Sequence, residues 1–190
     1  MINMEADIKN CLQVLQAGGI ILYPTDTVWG LGCDATNPTA VAKIFSLKQR
    51  EETKSMIILL SHTNDIQQYS KTPSDTIKNL IEKTERPLTV IYPDAKNIAA
   101  NLISEDGTIA IRIVKNTFCE ALLQYWGKPL VSTSANISGE AGATTFNTIS
   151  TAIKNGADYI VQHRKDENFI NNPSRILLWK NDDEIVVVRD

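Results

Sequence analysis

The chain has 190 residues, which fits one domain over 1–190, because domains typically run to roughly 100–200 residues. Its formal net charge of −3 excludes a protein that attracts nucleic acid through overall positive charge. No apolar run approaches the ~20 residues of a membrane span, and three cysteines without a CxxC pair argue against a disulfide framework or a cysteine zinc site. We therefore expect a cytoplasmic protein with no membrane contact and with reduced, packed cysteines.

The first quarter of the chain is predicted to run helix, strand, loop, helix. Apolar residues recur at helical spacing over 4–17, before a Gly-Gly pair that can end a helix. A short apolar strand over 20–23 leads into PTDTVWGLG, 24–32, which we expect to be a loop with two glycines. Asn37 followed by proline is typical of an N-cap and opens a helix over 38–47.

Strands and helices alternate through the rest of the chain. Further strands are predicted at 56–60, 88–92, 109–114, 130–132, 159–161, 176–179 and 184–188. Further helices are predicted after the caps Ser74 and Asn116, ending near Lys83 and Gly127, and at 148–154. The alternation favours an α/β domain with a mixed, largely covered sheet and flanking helices, with strand order left open.

Three polar clusters, 24–32, 48–55 and 132–140, adjoin predicted strands, where loops can converge on a shared cleft. The middle cluster places Lys48, Arg50 and Lys54 at short spacing, which suits a polyanion such as triphosphate. The same charges also suit the solvated end of a helix, where cations favour the helix dipole.

The third cluster holds short donors and acceptors, Ser132, Thr133, Ser134 and Asn136, that can bind phosphate or a small polar substrate. A turn that satisfies its own backbone is the alternative. Arg112 lies inside the apolar strand IAIRIV, so its charge must be paired, face a polar cleft, or reach water from an edge strand.

Several catalytic and cofactor classes find no support. GLG lacks the GxGxxG continuation and no GK[ST] occurs, which disfavours Rossmann and P-loop mechanisms. His62 and His163 have no metal-ligand spacing, so we expect surface or turn histidines, no protein metal site and no Ser-His-Asp triad.

Four motifs in chain order, YPTDTVWGLGCDA, the KxR of Lys48 and Arg50, TIAIR, and KPLVSTSANISG, resemble the YrdC/YciO family. The KxR and the SxN of Ser134 and Asn136 resemble its threonylcarbamoyl-AMP synthase branch in particular. The chain departs from the family pattern at Glu51, where a proline commonly follows KxR, and in several loop positions. The resemblance implies a twisted α/β domain of the short, single-domain form with a large, electropositive concave cavity.

The resemblance also implies the roles of individual residues. Those expected to face threonine are Thr25 or Thr27, Arg112, Ser132 and Ser174. Those expected to face ATP are Lys48, Arg50, Lys54, Thr108, Ser134, Asn136 and Arg189, with Lys48 and Arg50 also neutralising charge in the reaction.

The implied reaction is a nucleotidyl transfer that joins L-threonine, bicarbonate or CO₂, and ATP into threonylcarbamoyl-AMP, with release of pyrophosphate. Mg²⁺ would enter with ATP, and the product would pass to the machinery that modifies tRNA. A non-enzymatic RNA-binding module is the main alternative, against which the net acidity argues, although a weak RNA contact stays open. A carbamoyl-transfer domain like that of a hydrogenase-maturation relative is a further alternative.

Overall fold

A computed structural model of the chain describes residues 4–51, 56–143, 145–166, 173–181 and 184–190. The α-helices in these ranges are α1 Met4–Gln16, α2 Pro38–Lys48, α3 Ile66–Tyr69, α4 Asp75–Lys83, α5 Thr117–Trp126 and α6 Thr151–Gly156. The strands are β1 Ile21–Tyr23, β2 Gly30–Gly32, β3 Ile57–Leu60, β4 Leu88–Tyr92, β5 Ile109–Ile113, β6 Leu130–Ser134, β7 Tyr159–Ile160, β8 Arg175–Asn181 and β9 Glu184–Arg189. None of the helices in the described part is both long and apolar enough to cross a membrane.

The strands form one mixed sheet in the order β7-β1-β2-β6-β3-β5-β4-β8-β9. The pairs β1–β7, β3–β5 and β4–β8 are parallel, and the other neighbours are antiparallel. The predicted α/β class with a mixed sheet is confirmed. The strand order depends on long-range pairing that no local pattern encodes.

Three predicted helix starts are confirmed by their caps, whereas the helix predicted at 148–154 is wrong at its start, because α6 Thr151–Gly156 begins after the 3₁₀ turn Phe146–Thr148. The Asn37 side chain accepts hydrogen bonds from the backbone N–H groups of Thr39 and Ala40. Ser74 and Asn116 cap α4 and α5 in the same way, and Gly127 ends α5 in the left-handed region with φ 69°. The four-residue α3 was not predicted, since one turn is too short to show helical periodicity.

The prediction of a loop over the whole of 24–32 is wrong at its end, because Gly30–Gly32 is strand β2 between β1 and β6. A Cβ on Gly32 would lie 2.8 Å from a ring carbon of Tyr23 and 2.9 Å from the Val131 carbonyl oxygen. A Cβ on Gly30 would lie 3.2 Å from the Thr133 carbonyl oxygen. These glycines therefore permit close packing within the sheet rather than a turn.

The two faces of the sheet are covered differently. On one face a large core that includes residues of α2, α4 and α6 contains the strand residues Leu22, Ile58 and Val90. On the other face α1 and α5 pack on a core that contains Leu59 and Leu130. The three cysteines are free and buried, as expected.

Among the described residues, the core on the second face does not extend over β5, β4 and β8. Successive residues of a strand alternate between faces and paired residues share one, so Ala110, Ile91, Ile176 and Leu178 lie on the same face as Arg112. These four apolar side chains are only half-buried. This half of the sheet is where we expect the concave cavity, which stays a prediction.

A buried carboxylate fastens α1 to the sheet edge. Asp7 Oδ1 accepts hydrogen bonds from the Tyr159 hydroxyl at 2.6 Å and the Gln162 N–H at 3.0 Å. Its Oδ2 accepts from the His163 N–H at 2.8 Å. His163 also stacks on Phe118 of α5, with ring centroids 5.6 Å apart. This histidine lies in a turn, as predicted, and helps to pack the edge of the sheet.

We expect Asp7→Asn to lower the free energy of unfolding by about 2 kcal/mol. Both carboxylate oxygens of Asp7 accept hydrogen bonds, whereas the NH₂ group of asparagine can only donate and would face a donor. Glu105→Gln, at an exposed position, should change it by less than about 0.5 kcal/mol. Urea denaturation of both variants measures the difference. Equal stabilities would contradict the fastening role.

Candidate functional site

Arg112 lies in the middle of the sheet, opposite Leu59 of β3 and Thr89 of β4, and only 4% of its side chain is exposed. Its Nη2 lies 3.3 Å from Asp26 Oδ1, and its Nη1 donates to Thr27 Oγ1 at 3.3 Å. The alternative of an edge-strand arginine facing water is therefore wrong. Arg112 Nε has no hydrogen-bond partner among the described residues, which leaves a buried donor for a ligand.

The two threonines of the PTDT loop are bonded differently. Thr25 Oγ1 donates to the Val28 carbonyl at 2.7 Å and accepts from the Thr27 N–H at 3.0 Å. Its one hydroxyl hydrogen is thus used, so in the 3.0 Å contact between the two hydroxyls Thr27 is the donor. The Thr25 hydroxyl is then saturated inside the loop. Thr27 accepts from Arg112 and keeps one lone pair for a ligand.

A second polar chain extends from Thr89, the strand neighbour of Arg112. Thr89 Oγ1 and Ser174 Oγ lie 2.8 Å apart, and both side chains are buried. Arg189 donates from Nε and Nη2 to the Ser174 carbonyl at 3.1 and 2.8 Å. Burial and the nearby charges of Arg112 and Arg86 lower the pKa of Arg189. The predicted residues Ser174 and Arg189 therefore lie in the surroundings of Arg112.

Lys48 joins the middle and third polar clusters. Its ammonium donates to the carbonyls of Ser134 and Asn136 at 2.5 and 2.6 Å, and its own carbonyl accepts from the Ser138 N–H at 2.8 Å. Only 1% of Lys48 is exposed, so the alternative of a solvated helix end is wrong for this residue. The lysine holds the loop that follows β6.

The charges around Lys48 are partly desolvated. Burial lowers the pKa of Lys48 to about 8, with a smaller contribution from the positive charge of Arg50. Burial also lowers the pKa of Arg50, which is half-buried just after α2. Lys54 lies outside the described residues. Two cations therefore share one region beside the third cluster.

The asparagine of the SxN motif uses its amide hydrogens for hydrogen bonds within its own loop. Asn136 Nδ2 donates to the carbonyls of Ile137 and Glu140, both at 2.9 Å. Both amide hydrogens are thus used, and the buried Oδ1 has no hydrogen-bond partner among the described residues. The side chain can therefore accept a hydrogen bond from a ligand but has no donor left for a phosphate oxygen. Ser132 and Ser134 alternate with Thr133 along β6 and share one face. That face includes Ile57, which pairs with Ser132 and with Ala110.

Thr108 lies at the opposite end of β5 from Arg112. The two residues are four positions apart along extended chain, which is a distance of roughly 13 Å. The Thr108 hydroxyl donates to Asp106 Oδ1 at 2.7 Å, within a turn. Its side chain shares the face of Ala110 and Arg112 by alternation but is not in contact with the Arg112 cluster.

Sequence reasoning missed two members of the site, Asp26 and Thr89. Asp26 lies within the PTDT motif, between the two threonines that were predicted to bind the substrate. Its position between two predicted site residues could have identified it from the sequence. Thr89 can be recognised only through its pairing with Arg112.

His62 is exposed, as predicted. Among the described residues no group of three or more His, Cys, Asp or Glu side chains is close enough to hold a metal ion.

Comparison with known proteins gives similar sequences and folds. The Sua5/YciO/YrdC family model, described as "Telomere recombination", matches residues 13–190. Threonylcarbamoyl-AMP synthase of Pseudoalteromonas translucida (strain TAC 125) is 36% identical over 139 residues, which cover 72% of this chain and 74% of that protein.

Two solved structures share the fold. P. abyssi Sua5 complexed with L-threonine has a TM-score of 0.84 at 21% identity, covering 96% of this chain and 53% of that one. E. coli YciO has a TM-score of 0.82 at 23% identity, covering 99% of this chain and 90% of that one. The chain thus spans about half the length of P. abyssi Sua5 and most of the length of YciO.

We expect the ¹³Cε signal of Lys48, identified by its loss in Lys48→Met, to titrate near pH 8. A lysine in the unfolded chain has a pKa of about 10.4. Between about pH 8 and about pH 10.4 the unfolded chain therefore binds more protons at Lys48 than the folded protein does. Wild-type stability relative to Lys48→Met should therefore rise with pH from about 8 to 10.4. A midpoint near 10.4 in the folded protein would show a solvated ammonium.

Proposed function

Since the chain belongs to the Sua5/YciO/YrdC family, we propose that it joins L-threonine, bicarbonate or CO₂, and ATP into threonylcarbamoyl-AMP and pyrophosphate. The observation that carries the proposal is a buried Arg112 with a spare donor beside the Thr27 hydroxyl, on the half of the sheet formed by β5, β4 and β8. The product is an activated group for tRNA modification. The proposed partner is the machinery that transfers this group to tRNA in the cytoplasm, and residues 1–190 are proposed to act as one domain.

In this proposal the Arg112 cluster binds threonine. The guanidinium binds the threonine carboxylate through two parallel hydrogen bonds, a bidentate contact that its planar geometry favours. Thr27, with its remaining lone pair, accepts from the threonine hydroxyl, and Thr25 holds the loop in shape. Ser132 and Ser174 are proposed to border the same pocket. A site built around a substrate hydroxyl rejects analogues that lack it.

The nucleotide lies toward Lys48 in the proposal. Arg50 supplies guanidinium donors for phosphate, and Lys48 supplies charge while it holds the Ser134–Asn136 turn. Arg189, which lies beside Ser174 on the other side of β5, is a further proposed contact of ATP. Asn136 Oδ1 suits a ligand donor such as a ribose hydroxyl or a coordinated water rather than a phosphate oxygen. Thr108 and Lys54 remain proposed contacts of ATP. Mg²⁺, bound to the nucleotide, would neutralise part of the phosphate charge.

The proposed chemistry needs alignment more than a protein nucleophile. The ammonium of threonine first loses a proton to water, and the neutral amine then attacks CO₂ and loses a second proton to water, which gives a carbamate. A carbamate oxygen then bonds to the α-phosphorus of ATP as the bond to pyrophosphate breaks. Burial raises the pKa of Cys119, which interacts electrostatically with Asp26 and Arg112, and keeps it a neutral thiol. The protein holds two anions together and stabilises the charge on phosphate.

We expect pyrophosphate release to require ATP, threonine and bicarbonate together. A coupled phosphate assay that omits each component in turn measures this dependence, and serine and valine in place of threonine test the choice of side chain. Release that continues without threonine would contradict the proposal. Thermal stabilisation by RNA alone, lost in salt, would favour the RNA-binding alternative.

We expect Arg112→Lys to weaken threonine binding by roughly tenfold or more, because lysine keeps the charge but loses the planar fork. ATP binding should change little. Calorimetric titration of each ligand measures both effects, and Arg86→Lys, an exposed arginine, is the matched control. Unchanged threonine affinity would remove Arg112 from the binding site, and an equal loss for both ligands would indicate a general effect on the cleft.

A further inference from the structure

Asp26 places a negative charge against the guanidinium that is proposed to bind the substrate carboxylate. Its side chain is 10% exposed, that of Arg112 is 4% exposed, and Asp26 Oδ1 lies 3.3 Å from Arg112 Nη2. Asp26 belongs to the same short loop as Thr27, whose hydroxyl accepts from the other terminal nitrogen of Arg112. One buried cation, one carboxylate and one hydroxyl therefore converge at one place.

A free α-amino acid matches this arrangement in its charges. At neutral pH it carries a carboxylate and an ammonium on the same carbon, so its two charges are always adjacent. A buried charge is costly unless an opposite charge pairs with it. Arg112 alone would pair the carboxylate and leave the ammonium without a counter-charge. An adjacent carboxylate supplies that counter-charge.

We propose that Asp26 binds the ammonium group of the amino-acid substrate, so that Asp26 and Arg112 together recognise a zwitterion. The inference rests on the proposed binding of threonine at Arg112. In the ligand-free protein Asp26 pairs with Arg112 and keeps both charges compensated. When the amino acid binds, its carboxylate accepts hydrogen bonds from Arg112 and its ammonium donates to Asp26. The two charges of the protein and the two charges of the ligand are then all paired. The contact concerns the amino acid before its nitrogen is carboxylated.

The alternative role for Asp26 is to orient Arg112 without touching the ligand. The two roles differ in how they treat a ligand that has no ammonium. Such a probe is (2S,3R)-2,3-dihydroxybutanoate, which keeps the carboxylate and side-chain hydroxyl of threonine but replaces the ammonium with a hydroxyl. A residue that only orients Arg112 affects both ligands equally, whereas an ammonium-binding residue affects threonine alone.

The test is calorimetric titration of L-threonine and of this probe into the wild-type protein and Asp26→Asn. We expect the variant to bind threonine roughly tenfold to a hundredfold more weakly, as for loss of a hydrogen bond to a charged group. We expect the probe to bind the variant as well as, or more tightly than, it binds the wild type, because Asn competes less for Arg112. Equal losses for both ligands, or unchanged threonine affinity, would overturn the proposal.

Two further variants complete the design. Asp26→Glu keeps the charge and should retain a preference for threonine over the probe, while Asp75→Asn, at an exposed position, should behave as wild type. If Asp26→Asn does not fold, the wild type alone decides, since equal binding of threonine and the probe rules out an ammonium contact. A wild-type protein that binds no threonine refutes the proposed function itself, whereas threonine binding that is indifferent to Asp26 refutes only this inference.

Discussion

The burial of the Arg112 charge is the constraint on which the site depends. A guanidinium in the middle of a nine-stranded sheet must find opposite charge and acceptors within reach. The β1–β2 loop supplies both, through Asp26 and Thr27, and Thr25 fixes that loop by using its own hydroxyl internally. The pocket is thus organised before any ligand enters, which lowers the cost of ordering it on binding.

A second buried cation organises the other half of the site. Lys48 ties the end of α2 to the loop after β6 through two backbone carbonyls. Its lowered pKa shows that the ammonium is held against a desolvation cost, which the two carbonyls offset only in part. A lysine in a KxR motif therefore has a structural task in addition to any contact with phosphate. Its loss would alter the loop as well as the local charge.

Local patterns were enough to predict most helices and most strands, since caps and periodicity are local signals. They marked Arg112 as a charge within an apolar strand but left open whether that strand lay inside the sheet or at its edge. They were not enough for β2, because a Gly-Leu-Gly strand looks like a loop until Tyr23 and Val131 pack against it. Nor could they reveal Thr89, whose place beside Arg112 follows from strand register. Pairings between distant segments are absent from any window of sequence.

The sheet fixes the distance between the two halves of the site, the Arg112 cluster and the loop held by Lys48. Strand β3 pairs with β5, which carries Arg112, and with β6, which carries Ser132 and leads to the loop held by Lys48. Neighbouring strands lie about 4.8 Å apart and do not slide when hydrogen-bonded, so the distance from the Arg112 cluster to the Lys48 loop is set by backbone pairing. A reaction between two bound anions needs such fixed separation more than it needs a reactive side chain. Charged groups anchored on β5 and on the loop after β6, with β3 between these strands, can supply that, because each is held by the fold and not by the ligand.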